Sequence, residues 1–257
     1  MRKLITIALA AVTFIGITSS ANAADASLLA TNDFVGISFW LVSMGCLAAT
    51  AFFFLERGSV APAWRVSITV AGLVTGIAFI HYMYMREVWI ETGESPTVYR
   101  YIDWLITVPL LMLEFYFVLA AVKKVPSSVF WKLLIGSIVM LVGGYMGEAG
   151  YIQPFVGFII GMAGWIYILF EIFSGEAGQL ASRGGNKSVA TAFSAMRVIV
   201  TVGWAVYPLG YVFGYLTGGV DAASLNIIYN AADFLNKIAF GLIIWACAMQ
   251  NTRVARN

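Results

Sequence analysis

The chain has 257 residues, of which 61% are hydrophobic and only 11% are charged. Soluble domains carry about twice that share of charged residues. A soluble fold of this size could not bury so much apolar surface. The net charge of +2 and the lack of a basic patch with interleaved aromatics argue against a nucleic-acid partner. Cys46 and Cys247 lie in apolar runs, so we predict neither disulfides nor a metal site. The composition indicates that the partner is a lipid bilayer.

The first 23 residues have the parts of an export signal. Arg2 and Lys3 give a basic start, Leu4 to Ile17 are apolar, and Ala21 and Ala23 fit the small-x-small cleavage rule. We therefore predict a signal peptide at residues 1–23 and a mature domain at residues 24–257. The alternative is an uncleaved eighth helix, for which fourteen apolar residues are short.

Seven further apolar runs are long enough to cross a hydrocarbon layer about 30 Å thick. Numbered from first to seventh span, they are Phe34 to Leu55, Trp64 to Met85, Tyr101 to Val122, Val129 to Met146, Pro154 to Phe173, Ala190 to Leu216 and Leu225 to Met249. The connections are short and rich in turn-forming or polar residues, and no soluble domain is inserted. The predicted fold class is an all-α membrane protein, a bundle of seven transmembrane helices.

The loop charges predict the orientation of this bundle. A cleaved signal leaves the mature N-terminus outside, and seven crossings then place the C-terminus in the cytoplasm. The loops assigned inside carry most of the basic residues, Arg57, Arg65, Lys123, Lys124, Lys132, Arg183, Lys187, Arg253 and Arg256. The outside loops carry Glu87, Glu91, Glu94 and Asp221. This distribution follows the positive-inside rule, so both signals indicate a plasma-membrane protein with its N-terminus outside.

Ionisable groups inside spans are costly and therefore point to function. On the third span, one face within an arc of about 80° carries Arg100, Asp103, Thr107, Leu111 and Glu114. Asp103 and Glu114 are three turns apart, roughly 16 Å along the axis, so they occupy different depths. One of the two carboxyl groups is thus placed to exchange protons with the outside and the other with the inside.

The seventh span carries Tyr229, Asp233 and Lys237 one turn apart. Three interpretations are open for this lysine: a structural pair with Asp233, an ion site, or a Schiff base to a carbonyl cofactor. Aromatic residues elsewhere are candidates for a box around a long conjugated ligand, although such residues usually belong to the core or the interface belt. They are Trp104, Trp165, Trp204 and Tyr207.

Four spans together resemble the microbial rhodopsins, and the proteorhodopsins among them in particular. The matching segments are Arg100 to Leu105 continuing to Thr107, Pro109 and Glu114; Trp204 to Pro208; Asp233 to Lys237; and His81-Tyr82. The resemblance covers the whole mature chain. It implies that Lys237 carries all-trans retinal as a protonated Schiff base, in a pocket that includes Trp104, Leu111, Trp165, Trp204, Tyr207, Pro208 and Tyr229.

The resemblance also implies roles for the ionisable residues. Asp103 is expected to be counterion and proton acceptor, with Asp233 as second counterion and Arg100 beside them. Glu114 matches the proton donor, although a buried glutamic acid that only packs helices is the alternative. His81 is either an ordinary core histidine or a contact of Asp103.

Two further features carry a functional expectation, a residue triplet and a single position. Asp103, Thr107 and Glu114 are similar to the triplet of proton pumps, whereas a sodium pump would show Asn-Asp-Gln. Leu111 matches a spectral-tuning site, where leucine accompanies green absorption. The expected function is light-driven outward proton transport by a homo-oligomer, a pentamer or hexamer. The alternatives are a photosensory receptor of the same fold and a retinal-free seven-helix transporter.

Overall fold

The computed structural model describes residues 29–183 and 186–256. Within this part of the chain, seven helices are long and apolar enough to cross a membrane, and no strand occurs. They are Phe34–Glu56, Arg65–Thr92, Thr97–Ala120, Ser127–Glu148, Pro154–Phe173, Lys187–Leu216 and Ala222–Arg256. The predicted seven-span all-α fold is confirmed. The predicted signal peptide, residues 1–23, lies outside the described residues.

The second span is longer than its apolar run predicts. The run stops at Met85 because Arg86, Glu87 and Glu91 follow, but the helix continues to Thr92. Arginine and glutamate favour the helical backbone even where they end a hydrophobic stretch. The helix ends at Gly93, whose φ of 67° is easily reached only without a Cβ atom, and whose N–H donates to the Trp89 carbonyl at 2.8 Å.

The sixth span is an interrupted helix. Regular α-helix covers Lys187–Val198 and Val206–Tyr211, and each segment is followed by a π-helical turn, Ile199–Gly203 and Val212–Leu216. Pro208 lies within the second segment and has no backbone N–H to donate. Irregular turns of this kind are frequent at functional sites.

Glycines allow the fourth and fifth spans to pack closely. A Cβ atom on Gly157 would lie 2.6 Å from the Gly147 Cα, and one on Gly164 would lie 2.6 Å from the Met140 backbone nitrogen. Small residues at such a contact let helix backbones approach each other inside a membrane. The close distance between the fourth and fifth spans therefore depends on these glycines having no side chain.

The two ends of the bundle differ in charge. We call the end with the loops after the first, third and fifth spans the basic end, and the opposite end the acidic end. At the acidic end, Asp221 caps the seventh span by accepting the Ser224 N–H at 2.9 Å. The backbone and hydroxyl hydrogen bonds from Ser224 hold the pKa of Asp221 below its usual range.

Candidate functional site

Lys237 is buried at the centre of the bundle between two carboxylates. Its Nζ lies 2.7 Å from Asp103 Oδ2 on the third span and 2.7 Å from Asp233 Oδ2, one turn earlier on the seventh. All three side chains are buried. A buried ammonium group requires such compensation, because an unpaired charge away from water is very costly. The structure therefore brings together three of the charged residues that the sequence singled out on these two spans.

The two carboxylates differ in their other partners. Asp233 accepts hydrogen bonds from Tyr82 OH at 2.7 Å, Tyr207 OH at 2.6 Å and Trp104 Nε1 at 3.1 Å. Asp103 Oδ1 is buried and accepts no hydrogen bond within the described part of the chain. Asp233 is therefore held in place from three further sides, while Asp103 has an oxygen open to a proton.

Arg100 lies closer to the acidic end of the bundle than Lys237 does. Its guanidinium donates to Asn226 Oδ1 at 2.8 Å, Asn230 Oδ1 at 3.0 Å and Tyr82 OH at 3.3 Å. Since Tyr82 donates in turn to Asp233, the arginine reaches that carboxylate through one hydroxyl group. The sequence predicted Arg100 beside the two carboxylates; among the residues described it forms no hydrogen bond with either of them, and its link to Asp233 runs through Tyr82.

Thr107 and His81 bond to backbone carbonyls. The Thr107 hydroxyl donates to the Asp103 carbonyl at 2.9 Å, which fixes the turn that carries Asp103. His81 Nδ1 lies 3.0 Å from the Ile77 carbonyl. A carbonyl can only accept, so Nδ1 carries a proton and leaves Nε2 for another partner. The described residues show no hydrogen bond between His81 and Asp103, and that contact stays a prediction.

Glu114 is buried on the same face of the third span as Asp103, toward the basic end. Ser67 of the second span lies against its carboxyl group, but neither side chain makes a hydrogen bond of good geometry. No cation of the described chain forms a salt bridge with it. A carboxyl group in such surroundings is more stable neutral than charged. A neutral carboxyl group carries one proton, as the predicted donor role of Glu114 requires.

An apolar cavity between the spans extends away from Lys237. Its walls include all the predicted pocket residues, Trp104, Leu111, Trp165, Trp204, Tyr207, Pro208 and Tyr229. Trp104, Tyr207 and Tyr229 pack edge-on or tilted, with centroids 5.1 to 5.8 Å apart. An apolar wall with a primary amine at one end fits an apolar aldehyde such as retinal.

A family model described as bacteriorhodopsin-like protein matches residues 33–251. The chain belongs to the bacteriorhodopsin-like family. It is 56% identical to the green-light absorbing proteorhodopsin of Gamma-proteobacterium EBAC31A08 over 225 residues, which cover 87% of this chain and 90% of that protein. The resemblance seen in the sequence is thus confirmed.

Solved structures of the bacteriorhodopsin-like family have the same fold. Blue light-absorbing proteorhodopsin from Med12 is 54% identical, with a TM-score of 0.74 over 85% of this chain and 99% of that one. Xanthorhodopsin, described as a light-driven ion pump with dual chromophore, is 26% identical, with a TM-score of 0.77 over 89% and 98%. Relatives of both colours match this chain closely, so overall identity does not assign its colour.

The bacteriorhodopsin-like site also contains polar residues that sequence reasoning missed. Asn226 and Asn230 precede Asp233 and Lys237 at intervals of four, three and four residues, so the four share one face of the seventh span. That spacing was a readable signal. Ser67 was not predictable in this way, because its contact with Glu114 depends on how the second and third spans pack.

Glu148 has partners that a solvated helix end would lack. Tyr101 OH donates to its Oε1 at 2.8 Å, and Tyr215 also interacts with it. Glu148 and Tyr101 both line the cavity, on the side nearer the acidic end. From its place near the end of the fourth span, the sequence favours a solvated residue over a proton-release group for Glu148, and these hydrogen bonds do not fit a solvated residue.

Proposed function

We propose that this chain is a light-driven proton pump that carries all-trans retinal on Lys237 as a protonated Schiff base. One observation carries the proposal: at the end of an apolar cavity, Lys237 Nζ lies between a fully bonded carboxylate, Asp233, and one with an open oxygen, Asp103. The family and the light-absorbing relatives support the same function.

Bound retinal supplies the absorption of visible light and the isomerisation that changes the surroundings of the Lys237 nitrogen. The residues then determine where the proton goes. Asp103 accepts it, since its carboxylate is 2.7 Å from the nitrogen and its second oxygen is free. Asp233 keeps its charge, because Tyr82, Tyr207 and Trp104 already donate to it.

Two glutamates complete the path on either side of Lys237. Glu114 lies three helical turns from Asp103, roughly 16 Å along the third span, toward the basic end. It returns a proton to the Lys237 nitrogen, and a distance of this size requires the basic half of the bundle to open. Glu148, bonded to Tyr101, serves the exit at the acidic end.

The direction of transport follows from the loop charges. We infer that the basic end faces the cytoplasm, which makes the plasma membrane the location and the outside the destination of the proton. A signal peptide at residues 1–23 agrees with this orientation. Association into a homo-oligomer, a pentamer or hexamer, is part of the same proposal. Leu111 in the cavity wall supports the green-absorbing type.

The test is the pH of a suspension of cells that express the protein with added retinal. Illumination should acidify the medium, and a protonophore should abolish the change. Lys237→Ala should give a colourless protein and no pH change, since no other lysine lines the cavity. A visible band in that variant would refute the attachment site. A coloured, non-pumping wild type would point to a photosensory receptor, and an absent band to a retinal-free transporter.

A further inference from the structure

Two backbone carbonyls of the sixth span lose their usual partners where the helix is interrupted. In a regular α-helix the Trp204 N–H would donate to the Val200 carbonyl. In the π-turn it donates instead to Ile199 at 3.0 Å, so the Val200 carbonyl is left over. Trp165 Nε1 of the fifth span donates to that carbonyl at 3.0 Å.

Pro208 frees the second carbonyl. It has no N–H for the Trp204 carbonyl, which accepts the Tyr207 N–H at 3.1 Å instead. The Gly203 carbonyl would normally accept that N–H and is therefore free. Asn236 of the seventh span donates to it through Nδ2 at 3.1 Å. A side chain adjacent to Lys237 thus holds the backbone of the sixth span.

The same amide group also reaches the counterion. Asn236 Nδ2 lies 3.2 Å from Tyr207 OH, and Tyr207 OH donates to Asp233 Oδ1 at 2.6 Å. Donation from Asn236 strengthens the bond that Tyr207 makes, because hydrogen bonds in a chain polarise one another. Buried amides are usually bonded for structural reasons alone. Here both acceptors, the Gly203 carbonyl and the Tyr207 hydroxyl, belong to the sixth span, whereas the donor Asn236 is next to Lys237 on the seventh. The two bonds therefore connect the position of the sixth span to the surroundings of Lys237.

We propose that Asn236 is a positioning residue that latches the sixth span to the seventh in the dark state. The proposal rests on the pump function above, in which the basic half must open before the Lys237 nitrogen is reprotonated. Movement of the sixth span away from Lys237 has to break the bond between Asn236 and Gly203. When the sixth span moves, the bond from Asn236 to Tyr207 is also affected, and this changes the strength of the bond that Tyr207 donates to Asp233.

The test uses Asn236→Ala and the nearly isosteric Asn236→Leu in the retinal-loaded protein. Reprotonation of the Lys237 nitrogen after a flash should become roughly two- to tenfold faster, the factor that one neutral hydrogen bond is worth. Proton transfer to Asp103 should keep its rate. The dark absorption maximum should move to shorter wavelength, because a weaker Tyr207 bond leaves more charge on Asp233.

A second measurement does not depend on pumping. Ala190 and Val254 are exposed positions near the basic ends of the sixth and seventh spans. Spin labels there should show a larger separated population in the dark in Asn236→Ala than in the wild-type chain. If the wild-type protein fails to transport protons but this difference appears, the pump proposal fails while the latch stands.

Two comparisons separate a latch from general loosening. Gly203→Ala adds a methyl group that would overlap Asn236 Oδ1, so it should reproduce the Asn236→Ala phenotype, and the double variant should add nothing. Asn251→Ala removes a bond between the seventh span and Asn186, which caps the sixth span and donates through Nδ2 at 2.8 Å, and should leave the dark spectrum unchanged. Unchanged rates in both Asn236 variants, additive effects, or an equal spectral shift in Asn251→Ala would overturn the latch.

Discussion

Asp103 and Asp233 lie at the same 2.7 Å from Lys237 Nζ, so distance does not decide which of them takes the proton. The donors around them do. Asp233 would have to give up bonds from Tyr82 and Tyr207 that stabilise its charge, whereas Asp103 Oδ1 has none to lose. Hydrogen bonds to the charged form of an acid favour that form. In the proposed mechanism, the neighbouring donors therefore select Asp103 as the acceptor.

Replacement of the acceptor should separate colour from transport. Asp103→Asn removes a negative charge near the Lys237 nitrogen, and this charge stabilises the ground state more than the excited state. We expect a shift of the absorption maximum to longer wavelength and no light-driven pH change in cells. Glu94→Gln, in an exposed loop, is the control and should alter neither. A normal spectrum with normal pumping in Asp103→Asn would exclude this residue as acceptor.

Leu111 tests the assignment of the cavity to the chromophore. It lines the cavity between Asp103 and Glu114 on the third span. Leu111→Gln places a polar amide beside the bound chromophore and should stabilise its ground-state charge, so absorption should move to shorter wavelength. Leu111→Met, which nearly conserves volume, should leave the maximum close to its original position. An equal shift in both variants, or a shift to longer wavelength in Leu111→Gln, contradicts the placement.

At the scale of the helices, hydrophobic runs predicted each span but not its internal irregularities. Pro208 was visible in the sequence, yet the π-turn at Ile199–Gly203 was not. The carbonyl that this turn leaves over is bonded by Trp165, and the carbonyl that Pro208 frees is bonded by Asn236; both donors belong to other spans. The sequence of the sixth span alone does not show which side chains of other spans will bond to its free carbonyls. The same limit hid the contact of Ser67 with Glu114.

The glycine face between the fourth and fifth spans gives a prediction about stability. Gly164→Ala places a Cβ atom 2.6 Å from the Met140 nitrogen, which is backbone and cannot rotate away, so the two helices must separate. Such overpacking costs roughly 1–3 kcal/mol. The variant should lose its visible absorbance at a lower temperature than the wild type. Gly58→Ala, where the added atom has no neighbour within 4 Å, should lose its visible absorbance at the same temperature as the wild type.

At the scale of the whole molecule, transport requires that the Lys237 nitrogen contact the two ends of the bundle in turn. Moving one charge against the membrane potential costs about 2.3 kcal/mol per 100 mV, so any pathway open to both ends at once would dissipate the gradient. The structure is closed toward the basic end, with Glu114 buried and Asn236 bonded to Gly203. The sequence could predict different depths for Asp103 and Glu114, because regular helical geometry alone sets their separation along the third span.

Glu114 decides whether this closed half has a proton source. Glu114→Gln removes the acid but keeps nearly the same shape, so the packing and the dark spectrum should barely change. Proton transfer from Lys237 to Asp103 should keep its rate. Reprotonation must then come from bulk water, so the transient violet absorbance of the deprotonated nitrogen should decay slowly and with strong pH dependence. Azide, a small weak acid, should restore fast decay by carrying protons into the basic half.

A matched control is available at the same end of the bundle. Glu171 is also buried, but it accepts the Ala177 N–H at 3.0 Å and lies near Lys132, so it is bonded where Glu114 is not. Glu171→Gln keeps an oxygen for that N–H and should show decay of the violet absorbance at the wild-type rate, without a response to azide. If Glu114→Gln behaves in this way too, Glu114 only packs helices, and the proton must reach Lys237 from the basic end without a resident donor.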